Sequence, residues 1–204
     1  LGDYVAALAH LERALASLEG RLGPDHPDVA VLVNNLANLR HDSGEFAEAK
    51  HLYERALTTW EKHPGENDYF IGYGLNNLAK LHYDIGDYAE ARRLWNRALA
   101  LREKSHGPDH PEVGVLLNNL SGLAQRTGDF PEARRLLDRA LLIFEVKLKS
   151  DHPSTANALN NLGTLLFETG DYSAAKAALE RSVGMRQRSL GPEHLDTASS
   201  VYNL

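Results

Sequence analysis

A spacing of 42 residues governs this chain. Asn34-Asn35-Leu36 returns as Asn76-Asn77-Leu78, Asn118-Asn119-Leu120 and Asn160-Asn161-Leu162, and Asn203-Leu204 falls at the end of a further copy. A second marker keeps the same clock: Gly2-Asp3-Tyr4, Gly44-Glu45-Phe46, Gly86-Asp87-Tyr88, Gly128-Asp129-Phe130 and Gly170-Asp171-Tyr172. A fixed period between about 20 and 50 residues is the mark of a solenoid, in which each unit buries its apolar face only against its neighbours. A chain built this way is expected to form one elongated array rather than two globular domains.

Within each unit the pattern reads as two helices. Gly23-Pro24-Asp25-His26-Pro27 is a turn that ends on proline at a first helical position, where the missing N–H is harmless. A helix then runs from Pro27 through Val29 to Asp42 and stops near Gly44. A second helix, from about Phe46 to about Lys62, places Phe46, Ala49, Tyr53, Ala56, Leu57 and Trp60 at three- and four-residue spacings. The same A-then-B reading fits from Pro111 and from Pro153. The expected fold is therefore all-α, with about ten helices: a leading B helix (about 3–21), four A/B pairs and a trailing A helix that stops at Leu204. The units fall at about 1–26 (partial), 27–68, 69–110, 111–152, 153–194 and 195–204 (partial), which reads as a single array taken from a longer protein.

Composition narrows the function classes. A formal net charge of −6 disfavours a nucleic-acid or anionic-membrane surface. The chain has no cysteine, which removes disulfide and thiol chemistry and points to a reducing compartment, so the cytoplasm is the expected location. No apolar run approaches the roughly 18 residues needed to span a bilayer.

The A helices divide by face at 100° per residue. Leu75, Leu78, Ala79, Leu81 and His82 share one side, as do Val33, Leu36, Ala37 and Leu39 in the unit before, and that side is core. The small residue after each motif leucine (Ala37, Ala79, Ser121, Gly163) lets a neighbouring helix approach closely. The opposite side carries Asn34, Asn35, Asn38 and His41, then Tyr73, Asn76, Asn77, Lys80 and Tyr83. In the later units it carries Asn118, Asn119 and Gln125, then Asn160, Asn161, Thr164 and Phe167. That side is polar without being highly charged, as a recognition surface would be.

Leu75-Asn76-Asn77-Leu78-Ala79, Gly86-Asp87-Tyr88, Glu90-Ala91 and Arg97-Ala98-Leu99 together resemble the tetratricopeptide repeat. The longer unit, with Gly-Pro-Asp-His-Pro between copies, is similar to the kinesin light chain subtype. The resemblance implies a right-handed superhelix with A helices lining a concave groove, and an extended peptide or a partner's surface as ligand. The clamp of paired lysines, arginine and asparagines by which chaperone-tail-binding members hold a terminal carboxylate is not reproduced: only Lys80 and the asparagines stand on this face. The second unit also departs from its own pattern. His63-Pro64-Gly65-Glu66-Asn67-Asp68 replaces the usual turn, and Gly72 and Gly74 lie inside an A helix, where each glycine costs about 1 kcal/mol relative to alanine. Either a bulky neighbour fills the space over Gly74 or a ligand approaches the backbone there.

Several residues carry two readings. The asparagine pairs could bond neighbouring helices across the groove floor, or grip the main chain of an extended peptide, since an amide both donates and accepts. The second asparagine of each pair is the better candidate for the ligand. Arg13, Arg55, Arg97, Arg139 and Arg181 recur at one B-helix place and read as inter-helix ties in preference to a binding stripe. Trp60, Trp95 and Phe144 read as core. The Gly-acid-aromatic step reads as structural, with the glycine taking the left-handed exit, the acid at the next helix's positive end and the aromatic plugging the hairpin. His26, His110, His152 and His194 recur once per unit, too far apart for one coordination sphere, and Gly107 and Pro108 keep His106 and His110 off a shared helical face. No metal or cofactor is expected.

Catalysis has no foothold, because the chain lacks a phosphate-binding loop, His-Glu-x-x-His, Gly-x-Ser-x-Gly and a cysteine nucleophile. The expected function is a non-enzymatic, protein- or peptide-binding scaffold, with Lys80, Asn76, Asn77, Tyr73 and Tyr83 as its hot spot. The alternatives are the sensor or autoinhibitory arm of a larger signalling ATPase or transcriptional regulator, and a structural spacer. Leu8, Leu11 and Leu15 at one end and Val201 and Leu204 at the other are expected to lie partly bare, which would favour self-association of the isolated chain.

Overall fold

The computed structural model describes residues 2–204, with side chains from residue 6 onward. Among the described residues there are ten helices and no strand: α1 (Gly2–Leu22), α2 (Pro27–Asp42), α3 (Phe46–Glu61), α4 (Asp68–Asp84), α5 (Tyr88–His106), α6 (Pro111–Arg126), α7 (Phe130–Lys147), α8 (Pro153–Glu168), α9 (Tyr172–Leu190) and α10 (Leu195–Asn203). No helix among them is long and apolar enough to cross a membrane. The chain divides into two compact units, the first ending at Leu101 and the second running Arg102–Leu204, with the boundary inside α5.

Helix starts and stops follow from a few residues. Four A helices begin on a histidine cap in extended conformation: Nδ1 of His26, His110, His152 and His194 accepts the backbone N–H two residues on. Asn67 stands in that place before α4. It makes no side-chain cap but is buried, its Nδ2 donating to the Trp60 and His63 carbonyls. The helices α2, α4, α6 and α8 end at a glycine in the left-handed region. At Gly86, φ is 85°, its N–H reaches the Tyr83 carbonyl and the Asp87 N–H reaches that of His82. This double bond closes the helix end and needs a residue without a Cβ penalty. The acid then caps the B helix: Asp87, Asp129 and Asp171 each accept the backbone N–H three residues on.

The aromatic of that step does not plug the hairpin. Phe46 is 39% exposed and Tyr172 64% exposed, while Tyr88 and Phe130 are half-buried. The inside position belongs to the alanine three residues later, Ala49, Ala91, Ala133 or Ala175, all buried. The aromatic instead lies against the last turn of the preceding A helix, Phe46 on His41, Tyr88 on Tyr83 and Tyr172 on Phe167, at ring separations of 5.7, 5.7 and 5.3 Å. Gly2-Asp3-Tyr4 falls outside the described side chains.

In the first unit α1 packs on α2, α2 on α3 and α3 on α4. Its core holds Val29, Val33, Tyr53, Leu75 and Trp60. Trp60 is fully buried and donates from Nε1 to the Pro27 carbonyl. A Cβ on Gly74 would lie 2.8 Å from the Trp60 ring, so a bulky neighbour, not a ligand, fills that space. In the second unit α6 packs on α7, α7 on α8, α8 on α9 and α9 on α10, around Leu117, Leu123, Leu137, Phe144 and Leu165. There Gly163 admits Leu179, whose Cγ would be 2.5 Å from an added Cβ.

The recurring arginine is an inter-helix tie. Arg55 and Arg97 in the first unit pair with Glu19 and Glu61, and Arg139 and Arg181 in the second with Glu103 and Glu145, at 2.5–2.7 Å. Ion pairs this exposed contribute about 0–1 kcal/mol each, so their effect is on register more than on stability. Arg13 bonds the Ala9 carbonyl and His10 within its own helix.

Candidate functional site

The polar sides of the A helices meet inside each compact unit. In the first, α2 and α4 are joined by amides. Asn77 Nδ2 donates to Asn34 Oδ1 at 3.4 Å and to Asn38 Oδ1 at 3.2 Å, and the Tyr53 hydroxyl donates to the same Asn38 oxygen at 2.7 Å. Burial, with the nearby charge of Asp42 adding to it, pushes the Tyr53 phenol well up, so it stays a donor. Asn76 accepts from Trp95 Nε1 at 3.1 Å. Asp84 takes two partners, His41 Nε2 and Lys80 Nζ, both at 2.9 Å. Tyr83 lies between the rings of Tyr88 and Trp95.

The second unit repeats the arrangement. Asn161 Nδ2 donates to Asn118 Oδ1 at 3.0 Å, and Asn203 Nδ2 to Asn160 Oδ1 at 3.0 Å. Gln125 Nε2 donates to Glu168 at 2.9 Å and reaches Thr164 at 3.5 Å. Asn119 is half-buried, and Phe167 stands 63% exposed.

The structure therefore sorts the expected site residues. Asn34 and His41 are buried and belong to the floor. Asn38, Asn76, Asn77, Tyr83, Asn118, Gln125, Asn160, Asn161 and Thr164 are half-buried, each with its own partner inside the protein. Asn35, Tyr73, Lys80 and Phe167 face outward. Asn77 and Asn161, each the second asparagine of its pair, bond back to the preceding A helix, so these two are structural as well. The charge of Lys80 is already shared with Asp84.

Sequence reasoning missed one group of residues. A cavity of about 90 Å³ in the first unit is lined by Val31, Asn34, Trp60, Tyr69, Phe70 and Tyr73. The signal was available: Tyr69 and Phe70 are adjacent aromatics at the start of the A helix that follows the irregular turn. At the α5–α6 turn, where no common helical face exists, the rings of His106 and His110 still come within 4.6 Å. Each has its own bond, to Ser105 and to the Glu112 N–H. No group of three or more His, Cys, Asp or Glu side chains among the described residues is placed to hold a metal ion.

Comparison with known proteins names the architecture. The tetratricopeptide repeat pattern matches residues 1–62, 71–133 and 112–188. The chain belongs to the tetratricopeptide repeat family. Among solved structures this repeat protein is similar to BtubC (BKLC) from P. vanneervenii, at 21% identity and a TM-score of 0.81 over 100% of this chain and 81% of that one. It is also similar to a putative kinesin light chain with nearly identical repeats from Podosopora anserina, at 24% identity and a TM-score of 0.69 over 93% and 90%. Aspartyl phosphate phosphatase F from Bacillus subtilis matches at 14% identity and a TM-score of 0.81; 98% of this chain covers 50% of that one. No curated protein matches by sequence. Tetratricopeptide repeats generally serve as protein-interaction scaffolds, and the fold of this chain is like that of the putative kinesin light chain repeats.

Proposed function

We propose that this repeat protein is a non-enzymatic scaffold that holds an extended segment of a partner protein along the polar sides of its A helices. The observation that carries the reading is the amide ladder: half-buried asparagines already ordered by one another, with exposed aromatics beside them, Tyr73 in the first unit and Phe167 in the second. Amides ordered before binding lose little freedom when a main chain arrives, and exposed aromatics supply rigid contact area. The acidic chain and its lack of cysteine fit a cytoplasmic partner rather than nucleic acid or a membrane. Self-association is a further element of the proposal, supported by Val201 and Leu204, each 51% exposed, and by the half-buried Leu8 and Leu11, whereas Leu15 is buried and does not contribute.

The test is a pull-down with the 204-residue chain, followed by affinity measurement on the captured partner with Asn77→Ala and Lys80→Ala combined. The expected result is binding weakened beyond what the lost Asn77 bonds to Asn34 and Asn38 take from stability, as read from the melting temperature of the same variant. Unchanged affinity would move the site to Asn119, Asn161 and Phe167, and absence of any partner would count against the scaffold. A second reading, as the repeat arm of a larger signalling protein, is supported by the likeness to aspartyl phosphate phosphatase F, half of whose length this fold spans.

A further inference from the structure

We infer that the pocket at the α4–α5 turn is a receptor for a guanidinium, the side chain of an arginine on a partner protein. Its template lies one period earlier in the same compact unit. There Arg40 enters a cage of three carboxylates, with Nη2 3.1 Å from Glu12, Nη1 2.8 Å from Glu45 and Nε 3.4 Å from Glu48. All three acids return 42 residues on, as Glu54, Asp87 and Glu90, but the arginine does not: His82 stands in its place. The pocket opens there, and its lining includes those three acids with Lys50, His82 and Arg93. His82 is 3% exposed, and among the described residues its ring bonds only Asp87, at 3.0 Å. The second repeat has kept the cage and lost the group that fills it.

The template selects the ligand. A guanidinium presents its donors in a fixed planar fork and meets three carboxylates from three nitrogens, as Arg40 does, whereas an ammonium is a compact point charge. Charge points the same way. Hydrogen bonds from the Glu90 backbone N–H and from His82 hold Asp87 below the usual carboxylate range, and Arg93 does the same for Glu90, so both are ionised at neutral pH. Three carboxylates then face two permanent cations, Lys50 and Arg93, and one further positive charge balances the pocket. Neither cation replaces the lost arginine. Arg93 grips Glu90 along the helix surface, a pair that Arg135 repeats with Glu132 one period on, where Ala124 takes the place of the histidine. Lys50 lies 3.9 Å from Glu54 in a surface pair on one helix. The pocket shares no residue with the amide ladder, so it stands apart from the groove proposed for the extended segment.

The experiment titrates the intact 204-residue chain at low salt with N-acetyl Gly-Arg-Gly amide, and in parallel with the Gly-Lys-Gly counterpart and with free arginine. It follows the histidine ring signals by NMR. The expected result is saturable movement of the His82 signal, with an affinity for the arginine peptide about fivefold or more above that for the lysine peptide. Glu54→Gln, which removes one exposed wall of the cage, should weaken that affinity about threefold. His82→Arg, which restores the guanidinium of the preceding repeat, should raise the melting temperature and abolish binding of the peptide. Glu54→Gln keeps the test decisive if His82→Arg fails to fold. An unmoved His82 signal, equal affinity for the lysine peptide, or parental affinity in Glu54→Gln overturns the receptor. Equal binding of peptide and free arginine supports a partner's side chain as the ligand. Free arginine bound about tenfold more tightly overturns the partner in favour of the amino acid itself.

Discussion

Trp60 and Phe144 occupy the same place in their helices, two periods apart, and the two compact units accommodate them differently. In the first unit the indole reaches forward to the following A helix, where Gly74 makes room, and back to the Pro27 carbonyl. In the second, the Phe144 ring is received inside its own hairpin by Gly114, where an added Cβ would lie 2.6 Å from the ring. The repeat thus fixes where a large side chain sits but not which neighbour yields to it. In the first unit the choice is accompanied by the irregular turn, the aromatic pair Tyr69 and Phe70, and the cavity against Val31. A departure from the period at one position has been absorbed by changes at several, and it is there that the cavity opens.

The comparison breaks most visibly if the aromatics are removed. Trp60→Ala should lose about 3–5 kcal/mol in urea unfolding, and Phe144→Ala somewhat less, because only the indole also gives up a hydrogen bond. Since repeat stability is a chain of nearest-neighbour terms, the Trp60→Ala transition should broaden or split. A loss under about 1 kcal/mol in either variant would show that the ring is not carrying the core around it.

The glycines give a smaller and reversed ranking. Gly114→Ala should be worse than Gly74→Ala, because its Cβ would meet three Phe144 ring atoms at 2.6–3.1 Å and the Gly74 Cβ only the edge of Trp60. Overpacking of about 1–3 kcal/mol then outweighs the roughly 1 kcal/mol that alanine returns to a helix. Shrinking the partner should rescue: Gly74→Ala with Trp60→Leu, and Gly114→Ala with Phe144→Leu, should each come out less damaging than the sum of the singles. Strict additivity would separate the glycine from its proposed partner.

The smallest effect is electrostatic. Hydrogen bonds from the Glu90 backbone N–H and from His82 hold the Asp87 carboxyl below the usual range, and Arg188 does the same for Asp151 in the second unit. A depressed folded-state value means the stabilisation is complete above the unfolded value and fades as pH falls through the folded one. Melting temperature should therefore decline below about pH 4 and not above about pH 5. Asp87→Asn and Asp151→Asn should each flatten that acid limb slightly. The second should do so only at low salt, because its contribution comes from an exposed ion pair. Acid limbs identical to the parent would remove both groups from the account.

Much of this was legible in the residues. The period announced helix number, the register of the arginine ties and the left-handed exit at Gly86, because each depends on a residue type at a fixed offset. Tyr88 and Tyr172 misled because an aromatic after a turn reads as core, whereas a first helical position lies at the turn's outer edge and the interior falls three residues on, to an alanine. The histidine caps showed as a pattern without a chemistry; the signal was a histidine directly before the first helical residue, usually proline. The bonding of Asn77 back to Asn34 could not be read locally, since it joins residues 43 apart across two helices whose spacing depends on packing. The cavity was legible only through the adjacent aromatics Tyr69 and Phe70, as the rest of its lining comes from two other helices.

The arginine–glutamate ties bear on how such a chain could change length. Each spans 36 positions, and the glutamates themselves, Glu19, Glu61, Glu103 and Glu145, recur with the period of the repeat. Excising or duplicating one period between Glu19 and Arg181 therefore leaves each remaining arginine of the ties with a glutamate at the same distance, its own or, at the junction, that of another unit. An unequal crossover between neighbouring copies of the coding sequence would leave these junctions chemically whole. Growth and shrinkage by whole units are thus open to the gene, while the irregular second unit, whose changes are mutually fitted, can be inherited only as a block.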